Sequence, residues 1–253
     1  MKKVFLVLLA LWLLCGCANG QRQMTYTWTP VMMDSEWDEM KDTRATETIA
    51  AYAPLVAPLQ EIICYSADEY SKHFPESGLS NLIADVVRIT AERLSGGRID
   101  VGLTNFGGIR TSLPKGAVRV YDIYSIFPFE NSIVYFDIKG SDLRAFLKRM
   151  VERGRIEALS NVRMKVDGRK LQKLEVGGAP IDDDRMYRFA TSNFLMDGGD
   201  GLTLSDVAVN YVNSEVRIRD AIVDYLREKM NDGETLILED DGRVIDESRE
   251  GRR

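Results

Sequence analysis

Histidine occurs once in these 253 residues, at His73, and cysteine three times. One imidazole excludes a metal centre built from several histidines. Three cysteines leave no room for a disulfide framework. Basic residues are outnumbered, 33 Lys and Arg against 39 Asp and Glu, giving a net charge of -6. An acidic surface disfavours a long nucleic-acid backbone, so no nucleic-acid polymer is expected as a partner. A small anionic ligand would need a local cluster of arginines. No internal repeat is visible. Hydrophobic residues at 45% and charged residues at 28% place the chain in the globular class rather than the disordered one.

What is present begins with a targeting segment. Lys2 and Lys3 precede an apolar run from Val4 to Leu14, too short to span a bilayer comfortably but suited to a signal sequence. It ends in Leu14-Cys15-Gly16-Cys17, which resembles a bacterial lipobox. Residues 1–17 are thus expected to be a lipoprotein signal peptide, with Cys17 lipidated at the mature N-terminus. Ordinary signal cleavage nearby is the other reading, and both export the protein. Loss of Lys2 and Lys3 takes the mature charge to -8, from 31 basic and 39 acidic residues. The expected location is a bacterial membrane-anchored lipoprotein on the periplasmic or cell-surface side. Of the cysteines only Cys64 then remains a free thiol, and its setting in Ile62-Ile63-Cys64-Tyr65 predicts a buried structural role.

Residues 18–40 read as a polar tether. Ile49, Tyr52, Ala53, Val56 and Leu59 recur at helical spacing, with Pro54 and Pro58 expected to kink or break the helix. A clearer helix carries Leu79, Leu82, Ile83, Val86, Val87 and Leu94 on one face and stops at Gly96-Gly97. Strands are predicted at Ile99 to Leu103, Ser132 to Ile138, Val162 to Val166, Leu171 to Val176 and Tyr187 to Thr191. Helices are predicted from Gly140 and over about Glu215 to Met230. Several strand-to-strand steps exclude a clean βαβ series. The expectation is one compact α+β domain over 41–240, with a mixed sheet and flanking helices, followed by a charged peripheral tail at 241–253.

Two loops carry chemistry. Thr104-Asn105-Phe106-Gly107-Gly108-Ile109-Arg110 follows a strand; its glycines let backbone approach a ligand, while Asn105 and Arg110 offer directed hydrogen bonds and a fixed charge. A tight turn with a surface arginine would have the same composition. Ser192-Asn193-Phe194-Leu195-Met196-Asp197-Gly198-Gly199-Asp200-Gly201 sets a carboxylate among glycines after an aromatic ring. It lacks the Lys-Ser/Thr ending of a phosphate loop and has too few oxygen ligands for calcium. A carboxylate so placed suits sugar hydroxyls, and the ring suits stacking. Between the loops, Phe127-Pro128-Phe129-Glu130-Asn131 forms an extended turn that holds a ring outward or fills the core.

Taken together, these segments resemble the C-terminal domain of the 5'-nucleotidase family. Asn105 to Arg110 is similar to its N-G-G-G-I-R signature, Pro128 to Asn131 to P-F-G-N, and Asn193 to Gly201 to N-F-L-A-x-G-G-D-G. Upstream, Glu76 to Asp85 resembles E-x-x-x-G-N-L-I-A-D. The resemblance implies an α+β fold of that type and a substrate-binding role. Phe129 and Phe194 would clamp a base by offset stacking. Asn105 and Arg110 would hold base and ribose, Asn131 would lie near the base, and Asp200 would accept ribose hydroxyls.

Three departures stand out. Phe106 replaces a glycine and is expected to crowd the loop or add a stacking surface. Glu130 replaces another glycine and adds negative charge near an anionic ligand. Lys72 and His73 stand where the family places an arginine on the phosphate side. Family enzymes also carry a metallophosphatase domain that this chain's one histidine cannot furnish. The sequence therefore predicts nucleotide recognition without catalytic residues or a cofactor of its own, the divalent metals residing on a partner metallophosphatase subunit. A standalone nucleoside- or nucleotide-binding lipoprotein and an interaction module are the alternatives.

Overall fold

The computed structural model describes residues 26–30, 43–231 and 233–250. The expected signal peptide with Cys17, and all of the expected tether except 26–30, lie outside those residues. The chain divides into one unit ending at Ala51 and another running from Tyr52 to Arg253. In the first, residues 26–30 form no regular element and are exposed. Helix α1 (Thr43–Val56) carries Pro54 in its last turn and gives way to a 3-10 turn over Ala57–Gln60. Pro58 sits in the opening of that turn, where a missing N–H costs least. The apolar positions that recur at helical spacing are not all covered: Ile49, Tyr52 and Val56 are exposed. Helical spacing identifies a stripe but not what covers it.

The second unit holds α2 (Gly78–Ser95), α3 (Val120–Ile126), α4 (Gly140–Glu152), α5 (Asn193–Met196) and α6 (Ile218–Asn231) around three sheets. Five strands make the central sheet: β2 (Val101–Thr104), β4 (Ser132–Lys139), β5 (Ala158–Ser160), β9 (Met186–Ser192) and β10 (Val209–Arg217), in the order β10-β4-β9-β2-β5. Only β2 and β9 run parallel; the other three pairings are antiparallel. A second sheet joins β1 (Ile62–Ser66), β3 (Gly116–Arg119) and β11 (Thr235–Leu236). The third joins β6 (Val162–Asp167), β7 (Lys170–Val176), β8 (Ala179–Pro180) and β12 (Val244–Asp246). This is the α+β architecture with mixed sheets read from the sequence. The predicted helix over Glu215 to Met230 begins later, at Ile218, because Glu215 to Arg217 complete β10.

Side-chain alternation along the central strands splits the interior into two cores. Val134, Phe136 and Ile138 of β4, with Val101, Leu103 and Phe189, pack against α4 residues Leu143, Phe146 and Leu147. Ile133 and Ala190 face the other way and join Leu79, Ile83 and Val87 of α2 and Ile222 and Leu226 of α6. Helix α2 starts cleanly because Ser77 and Ser80 form a reciprocal cap, satisfying N–H groups the first turn leaves unpaired. Cys64 is buried in the second core, and burial pushes its thiol up to about 11. It is a packing residue, as its sequence context implied.

The charged C-terminal stretch is not peripheral. Strand β12 pairs in parallel with β6, and Val244 is buried in the first core. Glu76, itself buried, accepts the Gly242 and Val244 N–H groups, both at 2.7 Å. Arg243 is buried and ion-paired to Asp85 and Asp241. Composition alone reads such a segment as solvated; a paired arginine reverses that. The second unit therefore extends past residue 240. Among the described residues no helix is long and apolar enough to cross a membrane.

Candidate functional site

Topology brings the three motif loops to one end of the central sheet. Loop 105–110 leaves the C-terminal end of β2, and Asn193 to Gly201 leaves the C-terminal end of its parallel neighbour β9. Strand β4 runs antiparallel to β9 with Ile133 opposite Ser192, so the 127–131 turn that precedes β4 arrives at the same edge. Crevices beyond the carboxyl ends of parallel strands are recurrent ligand sites. Here a cavity of about 240 Å³ is lined by Asn105, Gly107, Gly108, Arg110, Phe129, Asn131, Phe194 and Asp200. All six residues singled out as substrate contacts meet there. Other surface grooves are larger, but none of these loop residues lines them.

Each side chain is held by its own local structure. Asn105 is buried and donates through Nδ2 to Asp200 Oδ2 at 2.6 Å, joining the first and third loops. Asp200 adopts a positive φ of 55°, a conformation uncommon outside glycine. Arg110 donates to the Gly107 carbonyl at 3.2 Å, and its guanidinium carbon lies 5.7 Å from the Phe129 ring centre, within cation–π range. Phe129 stands edge-on to the buried Phe127, at 6.5 Å and 90°, and remains partly exposed. Phe194 sits on the single-turn α5, also partly exposed, where Ser192 Oγ accepts the Leu195 N–H. Asn193 Oδ1 accepts from both Phe194 N and Ser132 N, tying the third loop to the start of β4. The carbonyl of Asn131 accepts the N–H of Ile218, linking the middle turn to α6.

Glycine is required where this packing is tightest. A Cβ on Gly108 would lie 2.8 Å from both Asn105 Oδ1 and the Phe127 ring. Gly108→Ala is expected to lower unfolding stability by about 1–3 kcal/mol, typical of overpacking, and to displace Asn105 from Asp200. Thermal unfolding beside a structure of the variant checks both effects.

The three departures resolve differently from the sequence-based expectations. Phe106 neither crowds the cavity nor offers it a face: its side chain is buried, packs with Ala84 and Ala158, and lies 4.2 Å from the Phe74 ring. The 3-10 turn Phe106–Gly108 points it into the interior beneath the loop. Glu130 lies outside the cavity lining and pairs with Arg219 at 2.7 Å and Arg217 at 3.6 Å, which offset its charge. Lys72 donates through its ammonium to the carbonyls of Phe106 and Ile109 and so fastens the first loop. His73 lies 3.4 Å from Asp240, half exposed.

Sequence reading missed two residues that touch this constellation from outside. Arg155 Nη2 lies 2.8 Å from Asp200 Oδ1, and its Nε donates to Glu157 Oε1 at 3.0 Å. Glu157 is buried and accepts the Phe106 N–H at 2.8 Å. Desolvation raises its carboxyl above the usual range, with that N–H and Arg155 acting in the opposite direction. Neither residue belongs to a glycine or aromatic motif, so composition carried no signal for them.

The chain is similar in sequence and fold to known proteins. The family model described as "5'-nucleotidase, C-terminal domain" matches residues 56–206. Protein UshA of Yersinia enterocolitica is 30% identical over 151 residues, covering 58% of this chain and 26% of that protein. Protein UshA of Escherichia coli is 27% identical over 220 residues, covering 78% and 39%. The 5'-nucleotidase precursor from Thermus thermophilus shares the fold with a TM-score of 0.68 at 30% identity, over 88% of this chain and 46% of that one. The chain thus spans less than half the length of each of these relatives. With more than half of its residues matched by the family model, the chain belongs to the 5'-nucleotidase C-terminal domain family.

Proposed function

We propose that this chain grips the nucleoside part of a nucleotide for a 5'-nucleotidase-type phosphohydrolase in extracytoplasmic nucleotide breakdown. A separately encoded metallophosphatase supplies the metals and the activated water. The observation that carries this reading is the cavity itself: two partly exposed rings, Phe129 and Phe194, share one space with Asn105, Arg110, Asn131 and the carboxylate of Asp200. Rings take the faces of a base, and an acceptor-only carboxylate takes sugar hydroxyls. About 240 Å³ lies just below the usual range for small-molecule sites, which suits a base and ribose with the phosphate directed outward. The single histidine argues for a partner at the phosphate. Lipidation of Cys17 would tether the chain to the membrane; a Cys17→Ser chain released to the soluble fraction supports the anchor, and one retained in the membrane fraction counts against it.

The test is phosphate release from nucleoside monophosphates in the presence of divalent metal. The purified chain alone is expected to release none above background, and addition of the partner metallophosphatase is expected to produce turnover that Phe194→Ala reduces. Robust release by the chain alone would refute the divided arrangement. One observation favours a second reading, capture of free nucleosides by a binding lipoprotein. With Lys72 committed to the loop carbonyls, Arg110 is the single cation among the residues lining the cavity. Equal affinity for a nucleoside and its monophosphate, with no response to any phosphatase, would select that reading.

A further inference from the structure

Asp200 owes its position to a segment that does not line the cavity. Residues 153–157 follow α4 and reach both active loops. Arg153 Nη1 donates to the Gly201 carbonyl at 2.6 Å, and Arg155 holds Asp200 Oδ1 at 2.8 Å. Glu157 anchors Arg155 at 3.0 Å and receives the Phe106 N–H of the first loop at 2.8 Å. Asn105 occupies the other carboxylate oxygen of Asp200. Each oxygen of Asp200 thus has one protein donor. A carboxylate offers roughly four lone-pair positions, so acceptor capacity remains on the cavity side. The positive φ of Asp200 shows why such a brace matters: a strained residue persists only when its surroundings over-determine it.

We propose that Arg155, seated on the buried Glu157, is a positioning residue that aims the Asp200 carboxylate at vicinal sugar hydroxyls and so sets selectivity for ribosides over sugars lacking them. This rests on the nucleoside-binding role proposed above. Arg155 is half exposed and occupies neither core, so its replacement leaves the hydrophobic packing intact. Removing it frees one oxygen of Asp200 and lets the strained residue rotate. The two rings keep their stacking, because Phe129 and Phe194 are supported by Phe127, Asn193 and Ser192 instead.

The experiment compares a ribonucleoside, adenosine or uridine as the wild type prefers, with its 2',3'-dideoxy analogue by calorimetric titration. Proteins are the wild type, Arg155→Met and Arg155→Lys. The wild type is expected to favour the ribonucleoside by roughly tenfold or more, the scale of a charge-assisted hydrogen bond. Arg155→Met is expected to lose about tenfold for the ribonucleoside while the dideoxy analogue changes less than about twofold, collapsing the ratio. Arg155→Lys, which keeps a cation without the fork, should recover part of it. Parallel weakening of both ligands would mean Arg155 merely props the loop and would overturn the inference, as would no change for either. In both cases wild-type binding leaves the nucleoside-binding role standing. A wild type that binds neither nucleoside defeats that role and the inference together.

Discussion

Phe194→Ala is expected to weaken nucleoside binding by roughly tenfold to a hundredfold while the chain stays folded. The size follows from stacking, worth about 1–3 kcal/mol per base when an aromatic side chain is truncated, at 1.4 kcal/mol per factor of ten. Folding survives because the ring is already 42% exposed and belongs to neither core. The ring is also held in place before any ligand arrives. Gly199 passes so close that a Cβ there would come within 2.5 Å of it, so little ordering entropy is lost on binding. Phe129→Ala should fall in the same range, since its ring is fixed edge-on to Phe127 and beside Arg110. If both rings sandwich one base, the double variant should depart from the sum of the single effects. Titration of all three variants measures this. An unchanged dissociation constant for Phe194→Ala would remove stacking from the binding account.

How far the sequence disclosed this site depends on the range of the interactions involved. The loops were legible because their signals are local: paired glycines, an aromatic residue beside proline, a carboxylate enclosed by glycines. Their convergence follows from the parallel β2–β9 pairing and the register of β4, which link residues roughly fifty to ninety positions apart and leave no periodic trace. Resemblance to the family motifs bridged that gap for the six cavity residues. It misled at Phe106, where a motif position suggested a ligand-facing side chain but the 3-10 turn directs the ring inward. It was silent on Arg155 and Glu157, whose role exists only once two distant loops stand beside them. Lys72 shows the same limit, since a cation near a presumed phosphate subsite proves to be bonded to main-chain carbonyls.

The C-terminal segment yields the second large expected effect. Arg243 makes hydrogen bonds to both oxygens of Asp85 at 3.0 and 3.1 Å, to both of Asp241 at 3.0 and 2.7 Å, and to the Leu159 carbonyl at 2.8 Å. Burial works against its charge, and the two carboxylates outweigh that, so its proton is held more tightly than usual. Arg243→Met keeps the stem's volume but strands Asp85 and Asp241. Breaking a fully buried pair from one side costs about 3–5 kcal/mol. Here about 2–4 kcal/mol is expected, because both aspartates keep partial access to water. In a domain of this size that corresponds to a melting point lower by roughly 5–15 °C. The hydrogen bond from Arg243 is also the main reason the Asp241 carboxyl lies below its ordinary range. Such a group stabilises the fold above its unfolded value of about 3.9 and loses that contribution as pH falls through the depressed folded value. The stability gap between wild type and Arg243→Met should therefore be widest near neutrality and narrow below about pH 4. Urea unfolding of both proteins at neutral and acid pH measures it. A gap absent at neutral pH would return residues beyond 240 to the status of a dispensable tail; a full gap would make Arg243 the pin that holds β12, and through Glu76 the start of α2, to the domain.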